Sequence, residues 1–365
     1  MNPVVGADAL DRWARASAPV RVADVGGWTD TWFGSPGAVC HVAVGPGIEV
    51  TARVVHSDDQ RGPVRLRAAS LGLDESIGPS GDPSIRWDRP LPGRHPLLEH
   101  AVASVVEGVD FEPGVGLAVD VTSSVPPGAS LGTSASVVVA LIGALDRLVG
   151  GGQLSAADVA RQAHDTETRR AGREAGVQDQ WAAALGGVGL LAIGVYPEVV
   201  HQRVPLTVRT EHELADRLVT VVFGSHDSSL VHAEVINAMV GCGGDEHDRA
   251  RRALRTLARL AGSAAQALAS GEIETWAAIL SAATRAQQEL HDGLVGTLHR
   301  AAIDCAERAG ALGWKVNGAG GEGGSLTVVA PDREGAQRIR RELADGSRGQ
   351  VVDLAPSTGL TIIEG

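Results

Sequence analysis

The chain has 365 residues, of which 44% are hydrophobic and 21% charged, and its formal net charge is −12. That length suits two domains or one large one and can bury a sizeable core without disulfides or a structural metal. The acidity is spread along the chain, which excludes a general attraction for nucleic acid or anionic membrane, and no run of about 18 apolar residues is present to span a bilayer.

Residues 1–17 read as a short, partly helical lead-in. Charges stand where a signal peptide would keep its apolar core, so a cytoplasmic location is expected. Cys40, Cys242 and Cys305 are far apart and lack metal-ligand spacing, which reads as free thiols in a reducing compartment. β-Branched, partly alternating runs predict strands at Val20–Val22, Ala38–Val44, Glu49–Val55 and Val64–Ala68. Leu71–Arg94 is rich in Gly, Pro, Asp and Ser and reads as loop. A helix at Pro96–Val106 and a strand at Val115–Val121 follow, then a turn and a long apolar helix from Thr133 to Leu148.

Further helices are expected at Ala156–Arg170, capped by Ser155, and at Gln178–Leu185. A hairpin is expected at Val188–Ile193 and Val199–Val204, and the least structured crossover at 200–217. The second half predicts a strand at Leu218–Phe223, helices near 229–240, 247–269, 272–290 and 295–309, a strand into Lys315, a Gly-rich turn, strand Ser325–Val329, helix Arg333–Leu343, and strands near Val351 and Thr361. Strands and helices mix through both halves, which gives an α+β or α/β class. Arg251, Arg255 and Arg259 form one helical stripe, read as a solvated face. Lys315 is the single lysine among 32 basic residues.

Four segments carry candidate chemistry. Val125 to Ser136 is a Gly/Ser-rich turn opening an apolar helix. Small residues let successive backbone N–H groups face an anion, and the helix start adds free N–H groups and its positive dipole end. The same pattern also fits an ordinary turn with a capped helix. A Walker A motif is excluded, because Lys315 follows Trp314 and no other lysine exists. Lys315 to Ser325 contains a GxGxxG spacing at Gly318, Gly320 and Gly323. It leads into a strand, so it reads as a hairpin bringing bare backbone close to another element or a ligand, or as a flexible loop. Glu167 and Asp179, twelve residues apart, can converge on one cleft; a solvated Glu167 with Asp179 as helix cap is the alternative. Arg21 to Asp30 reads as a strand running into a Gly turn that presents Asp30, either to a ligand hydroxyl or to local backbone. His226 and Ser228 lie between a strand and a helix, as a sugar-contact loop or a helix cap.

In chain order these segments resemble the motifs of the GHMP small-molecule kinases. Arg21 to Asp30, in its GGWTD form, resembles the first motif as it occurs in L-fucokinase and the heptose 7-phosphate 1-kinases. Pro127 to Ser136 resembles the second, Gly176 to Gln180 the GGxQDQ segment, and Lys315 to Ser325 the third. The resemblance implies a two-domain α+β fold. An N-terminal ribosomal-protein-like α/β domain (1–205) and a C-terminal ferredoxin-like α+β domain (206–365) would place the active site between them. It further implies that Pro127, Gly128, Ala129, Ser130, Gly132, Thr133, Ser134 and Ala135 bind ATP, and that Ser134 and Glu167 hold Mg²⁺. Asp179 would be the catalytic base with Arg21 beside it. Gly27, Trp28, Thr29, Asp30, His226, Gly318, Gly320 and Gly321 would contact substrate. Two departures stand out: Ser130 occupies a usual glycine position, and Glu322 interrupts the third motif's glycines, placing a carboxylate near the phosphates unless it points outward. The implied activity is transfer of the γ-phosphoryl group of MgATP to a sugar hydroxyl, the anomeric one favoured, by a monomer or homodimer. A catalytically silent sensor and a kinase for a non-sugar alcohol are the alternatives.

Overall fold

The computed structural model describes residues 3–57, 63–78, 95–224, 229–240, 243–346 and 349–365. In the first half lie β1 (Val4–Val5), β2 (Trp13–Val25), β3 (Gly37–His56), β4 (Val64–Ala68) and β5 (Leu73–Ile77). Next come α1 (Pro96–Val106), β6 (Asp110–Phe111), β7 (Val115–Ser123), α2 (Thr133–Leu145), α3 (Ala156–Asp165), α4 (Gln178–Leu185), β8 (Val188–Ile193) and β9 (Val199–Arg203). The second half has α5 (Val208–Arg217), β10 (Leu218–Val222), α6 (Ser229–Val240), α7 (Asp245–Ala269), α8 (Ile273–Leu290) and α9 (Thr297–Arg308). It ends with β11 (Gly313–Val316), β12 (Ser325–Val329), α10 (Arg333–Gly346), β13 (Gln350–Val352), β14 (Ala355–Pro356) and β15 (Thr361–Glu364). The α+β class holds.

Among the described residues the larger sheet has nine strands, running β15-β2-β3-β7-β4-β5, with β8 and β14 paired to β3 and β9 to β8. The smaller sheet runs β11-β12-β10-β13. Helices α1 to α4 share an apolar core with the larger sheet. Helices α7 and α8 join a second core with β2, β3 and β8, and α9 and α10 cover the smaller sheet. Helix α2 is buried on nearly every face, as its uniform apolarity requires. Thr133–Gly150 is in fact long and apolar enough to cross a membrane by length and composition, contrary to the expectation above, but 78% of it is buried inside the protein.

Several expected elements differ. Only the short 3₁₀ turn Ala7–Ala9 is helical in the lead-in, and β2 already begins at Trp13. The two strands expected at 38–44 and 49–55 are one strand, β3, whose register against β2 shifts at Gly45-Pro46-Gly47. A Cβ at Gly47 would lie 2.3 Å from the Ala18 carbonyl oxygen, so the strands meet there through bare backbone. Leu73–Ile77 pairs with β4, although its composition reads as loop; residues 79–94 lie outside the described residues. The 200–217 crossover contains β9 and α5, and the Thr207 hydroxyl caps α5 by accepting from Thr210 N. Arg251, Arg255 and Arg259 are exposed, as a solvated stripe should be.

The chain's end does not stay with the second half. β15 pairs with β2 and β14 with β3, so residues 355–364 belong to the larger sheet. Leu360 and Ile362 pack over Gly143 of α2. Truncation after residue 354 is expected to expose the β2 edge and this apolar contact. The measurable outcome is a clearly lower Tm with increased aggregation; an unchanged melting curve would show that the returning strands are dispensable.

Candidate active site

The turn between β7 and α2 closes on the start of that helix. Ser130 has φ +55° and Gly132 has φ +75°, both in the left-handed region. Ser130 therefore adopts the backbone that a glycine would supply at its position. Two bonds fasten the turn to β2: Arg21 N donates to Leu131 O at 2.9 Å, and Ser136 Oγ donates to Pro19 O at 2.7 Å. The Thr133 hydroxyl, at the first residue of α2, is buried with no hydrogen-bond partner. An unsatisfied donor beside the free N–H groups of a helix start suits a phosphate oxygen.

Asp179 stands in the first turn of α4, facing this loop. A Cβ at Gly132 would lie 3.1 Å from Asp179 Cγ, so only a bare α-carbon leaves the carboxylate its place. Arg21 Nε donates to Asp179 Oδ1 at 2.8 Å and Nη2 to Oδ2 at 3.3 Å, while Nη1 donates to the Ser130 carbonyl. Burial opposes the charge on Arg21, but Asp179 and Asp24 outweigh it and raise its pKa. Beyond α3 the helix widens into a π turn over Thr166–Arg170 that carries Glu167, whose Oε2 accepts from Gln180 Nε2 at 2.8 Å.

The third glycine-rich segment arrives from β11. The β2–β3 register slips between Val22 and Val25, and Ala23 takes φ +55°. This bulge carries Asp24, both of whose oxygens accept from Gly318 N at 3.1 Å. A Cβ on Gly318 would sit 2.9 Å from both Arg21 Nη2 and Ser130 O. Lys315 is fully buried beneath, donating to Gln287 Oε1 at 2.7 Å with its Nζ 3.9 Å from Asp24 Oδ1. Asn317 accepts from Ala23 N and donates to Ser325 and Thr327.

These segments enclose a cavity of about 740 Å³ whose walls come from both halves. Of the residues named from sequence, Arg21, Trp28, Asp30, Gly128, Ala129, Ser130, Gly132, Thr133, Ser134, Glu167, Asp179 and Gly318 line it. Gly27, Thr29, Pro127, Ala135, Gly320 and Gly321 do not. The Thr29 hydroxyl is spent on Gly26 O and Ala38 O, which shapes the turn. Gly320 lies against Leu294 O, and Gly321 N donates to that same oxygen, so both serve packing. Glu322 points outward and accepts from Thr297 N at the start of α9. His226 lies outside the described residues.

Sequence reasoning missed Thr31, Arg173, Glu174 and Ile236, all at the cavity wall, whereas His232, also at the wall, closes the segment that carries His226 and Ser228. None belongs to the residues the motifs pick out; the nearness of Arg173 and Glu174 to the Gly176 segment was the one available signal. Asp24 and Lys315 were also passed over as partners, because the residues that join them lie far apart in the chain.

Burial pushes Asp30 up to about 6, with the neighbouring Asp179 adding to it and the Gln178 N–H opposing it. Burial and Asp179 push Glu167 up to about 7. Folding therefore tightens proton binding at both groups, so their contribution to stability is fully present below about pH 4 and is lost as pH rises through 6 and 7. In the ligand-free protein, Asp30→Asn and Glu167→Gln are each expected to raise Tm relative to the unsubstituted chain. The gain should grow between pH 5 and pH 8; a constant or shrinking gain would contradict the assignment. A second expectation concerns the buried cation. Lys315→Met should cost up to about 3 kcal/mol in urea unfolding by stranding Asp24, and Asp24→Asn in the same chain should recover part of the loss.

A cavity with a helix start whose N–H groups suit an anion, a carboxylate held by a buried guanidinium, and a glycine segment closing from a second sheet fits the chemistry of a small-molecule kinase. Comparison with known proteins agrees. Residues 97–187 match the GHMP kinases N terminal domain, and residues 264–347 match the GHMP kinases C terminal region. The mevalonate kinase of Pyrococcus furiosus is 30% identical over 249 residues, 67% of this chain and 69% of that protein. The bifunctional fucokinase/GDP-fucose pyrophosphorylase of Arabidopsis thaliana is 28% identical over 350 residues, 92% of this chain but 31% of that longer protein. A crystal structure of a D-glycero-D-manno-heptose 1-phosphate kinase from Bacteroides thetaiotaomicron superposes with a TM-score of 0.71 at 19% identity, covering 96% of this chain and 98% of that one. The chain belongs to the GHMP kinase family, with the family's two-domain α+β fold. Its class of reaction is transfer of a phosphoryl group from ATP to an alcohol.

Proposed function

We propose that the protein is an ATP-dependent sugar kinase that phosphorylates a sugar hydroxyl, the anomeric one favoured. The observation that carries this reading is the Asp179 carboxylate, held by buried Arg21, in one cavity with Thr133, Ser134, Trp28 and Asp30. The GGWTD form of the first motif and the fucokinase relative support a sugar. The mevalonate kinase relatives support a second reading, a non-sugar alcohol as acceptor. Residues 1–205 would supply the nucleotide and catalytic groups and 206–365 the opposite wall. The location proposed is the cytoplasm, where ATP is abundant and buried Cys40 stays a free thiol.

The residues present fit Mg²⁺. Glu167 and Ser134 offer hard oxygen donors at the cavity wall, beside the orphaned Thr133 hydroxyl. Among the described residues no cluster of three or more His, Cys, Asp or Glu forms a cage. Mg²⁺ needs none, since it usually takes one or two carboxylates and completes its shell with water and phosphate oxygens. When bound, it would neutralise charge on the phosphates. In the proposed reaction the acceptor hydroxyl donates its proton to Asp179 as its oxygen attacks the γ-phosphorus in line with the departing ADP. Arg21 keeps that carboxylate oriented and offsets negative charge building beside it. The loop at residues 128–134 holds the phosphates, and Gly318 closes the cavity from the other half.

Asp179→Asn is expected to lower kcat by about 10²–10⁴-fold with the fold intact by circular dichroism, the range a positioned base contributes. Gly132→Ala should also lower kcat, by displacing Asp179 through the added methyl. Turnover like that of the unsubstituted chain in the Asn variant would remove Asp179 from the role of base.

A further inference from the structure

The charges in the cavity are unevenly placed. Its described wall carries four carboxylates, Asp30, Glu167, Glu174 and Asp179, against two guanidiniums, Arg21 and Arg173. Arg21 is committed: its three nitrogens bond Asp179 and Ser130 O. Arg173 is engaged by Glu167: its charge opposes the upward shift of the Glu167 carboxyl, and its backbone N donates to Glu167 O at 3.0 Å. Around the loop that carries Asp30, the wall is made by Trp28, Thr31, Glu174 and His232. Asp30 is 1% exposed and already accepts from Gln178 N at 3.0 Å. Glu174 accepts from Trp32 Nε1 at 2.7 Å, which ties it to the loop that carries Asp30.

Trp28 supplies an independent sign of a ligand. It is 6% exposed, lines the cavity, packs its ring 4.6 Å from that of His232, and its indole N–H has no hydrogen-bond partner. It also holds φ +78°, a backbone that a bulky residue rarely adopts outside functional sites. A flat apolar face, one free donor and two carboxylate acceptors are the complement of a sugar ring, which offers a C–H surface, a ring oxygen and several hydroxyl donors.

We propose that this wall selects an uncharged polyhydroxy acceptor, a free sugar without phosphate or carboxylate. Asp30 and Glu174 accept from its hydroxyls, and Trp28 lies against its C–H face while donating to one of its oxygens. Among the described residues, an anionic substituent there would face two carboxylates without a guanidinium of its own. This narrows the sugar-kinase reading and rests on it, because a negative group is the property that separates a sugar phosphate from the sugar itself.

The test uses the purified full chain with MgATP and matched pairs: D-galactose, D-mannose and L-fucose against galactose 6-phosphate and mannose 6-phosphate, with mevalonate and homoserine as non-sugar alcohols. ADP release is followed for each. The expected result is a preference of about 100-fold or more in kcat/KM for a free sugar over its phosphate ester, with Glu174→Arg narrowing the gap. A phosphate ester turned over as well as its free sugar would overturn the inference and leave the sugar-kinase reading standing. Turnover of mevalonate or homoserine with every sugar inert would overturn that reading instead, as would inertness of the whole panel. In a second arm, inorganic phosphate is titrated calorimetrically into the protein saturated with Mg²⁺ and a non-hydrolysable ATP analogue. No saturable heat is expected, and saturable binding weakened by Arg173→Ala would overturn the inference whether or not a substrate is in hand.

Discussion

The buried charge of Arg21 is the constraint around which the cavity is organised. A guanidinium inside a protein is tolerated only when its donors are met and its charge is paired. Here that requirement draws on two distant stretches, Asp179 from α4 and the Ser130 carbonyl from the loop before α2, and on Asp24 from the bulge in Arg21's own strand. Gly318 comes from the other sheet and closes the arrangement, because Asp24 takes its N–H and any side chain there would collide with Arg21. Satisfying one buried cation thus assembles the groups proposed to transfer phosphate. The chemistry and the fold share the same interactions at this point.

That arrangement leaves the ligand-free protein with unfavourable features in one place. Asp30 and Glu167 are both shifted towards neutrality by burial and by Asp179. Ser130 and Trp28, neither of them glycine, hold left-handed backbone at the cavity wall. Buried donors at Thr133 and Trp28 go without partners. Each is costly in an empty cleft and is relieved by a ligand with cationic, acceptor or apolar groups in the right places. Such features gathered at one cavity mark a site selected for binding at the expense of stability, although buried His41 also goes without partners away from it.

Much of this was legible in the sequence, and the reasons for the gaps are physical. The four segments could be read because their chemistry is local: small residues before an apolar helix, or an acid at a helix start, announce themselves within a dozen positions. Most helices were legible from period and caps. The continuity of β3 was not, since Gly45-Pro46-Gly47 reads as a turn unless one knows that β2 pairs with both arms. The return of β15 to β2 was hidden for the same reason: pairing across most of the chain leaves no local trace. Glu322 was legible as a departure but not in its direction, which depends on α9 starting beside it. Lys315 was visible as the single lysine, yet its partners Asp24 and Gln287 come from other elements, so composition could mark the residue without giving its place.

The two halves contribute differently to the cavity, and this division bears on how such a site changes. Every formally charged group in the described wall, from Arg21 to Asp179, belongs to the first half. The second half supplies His232, Ala233, Ile236, Gly318 and Ala319, which are shape, backbone and one ring. Electrostatics at the transferring group are therefore set by residues locked together through Arg21, where a substitution disturbs several partners at once. The described wall on α6, made by His232, Ala233 and Ile236, carries no formal charge. Substitutions there can reshape the acceptor wall while the charges that act on the phosphates keep their places, so specificity is the property this architecture leaves free to vary.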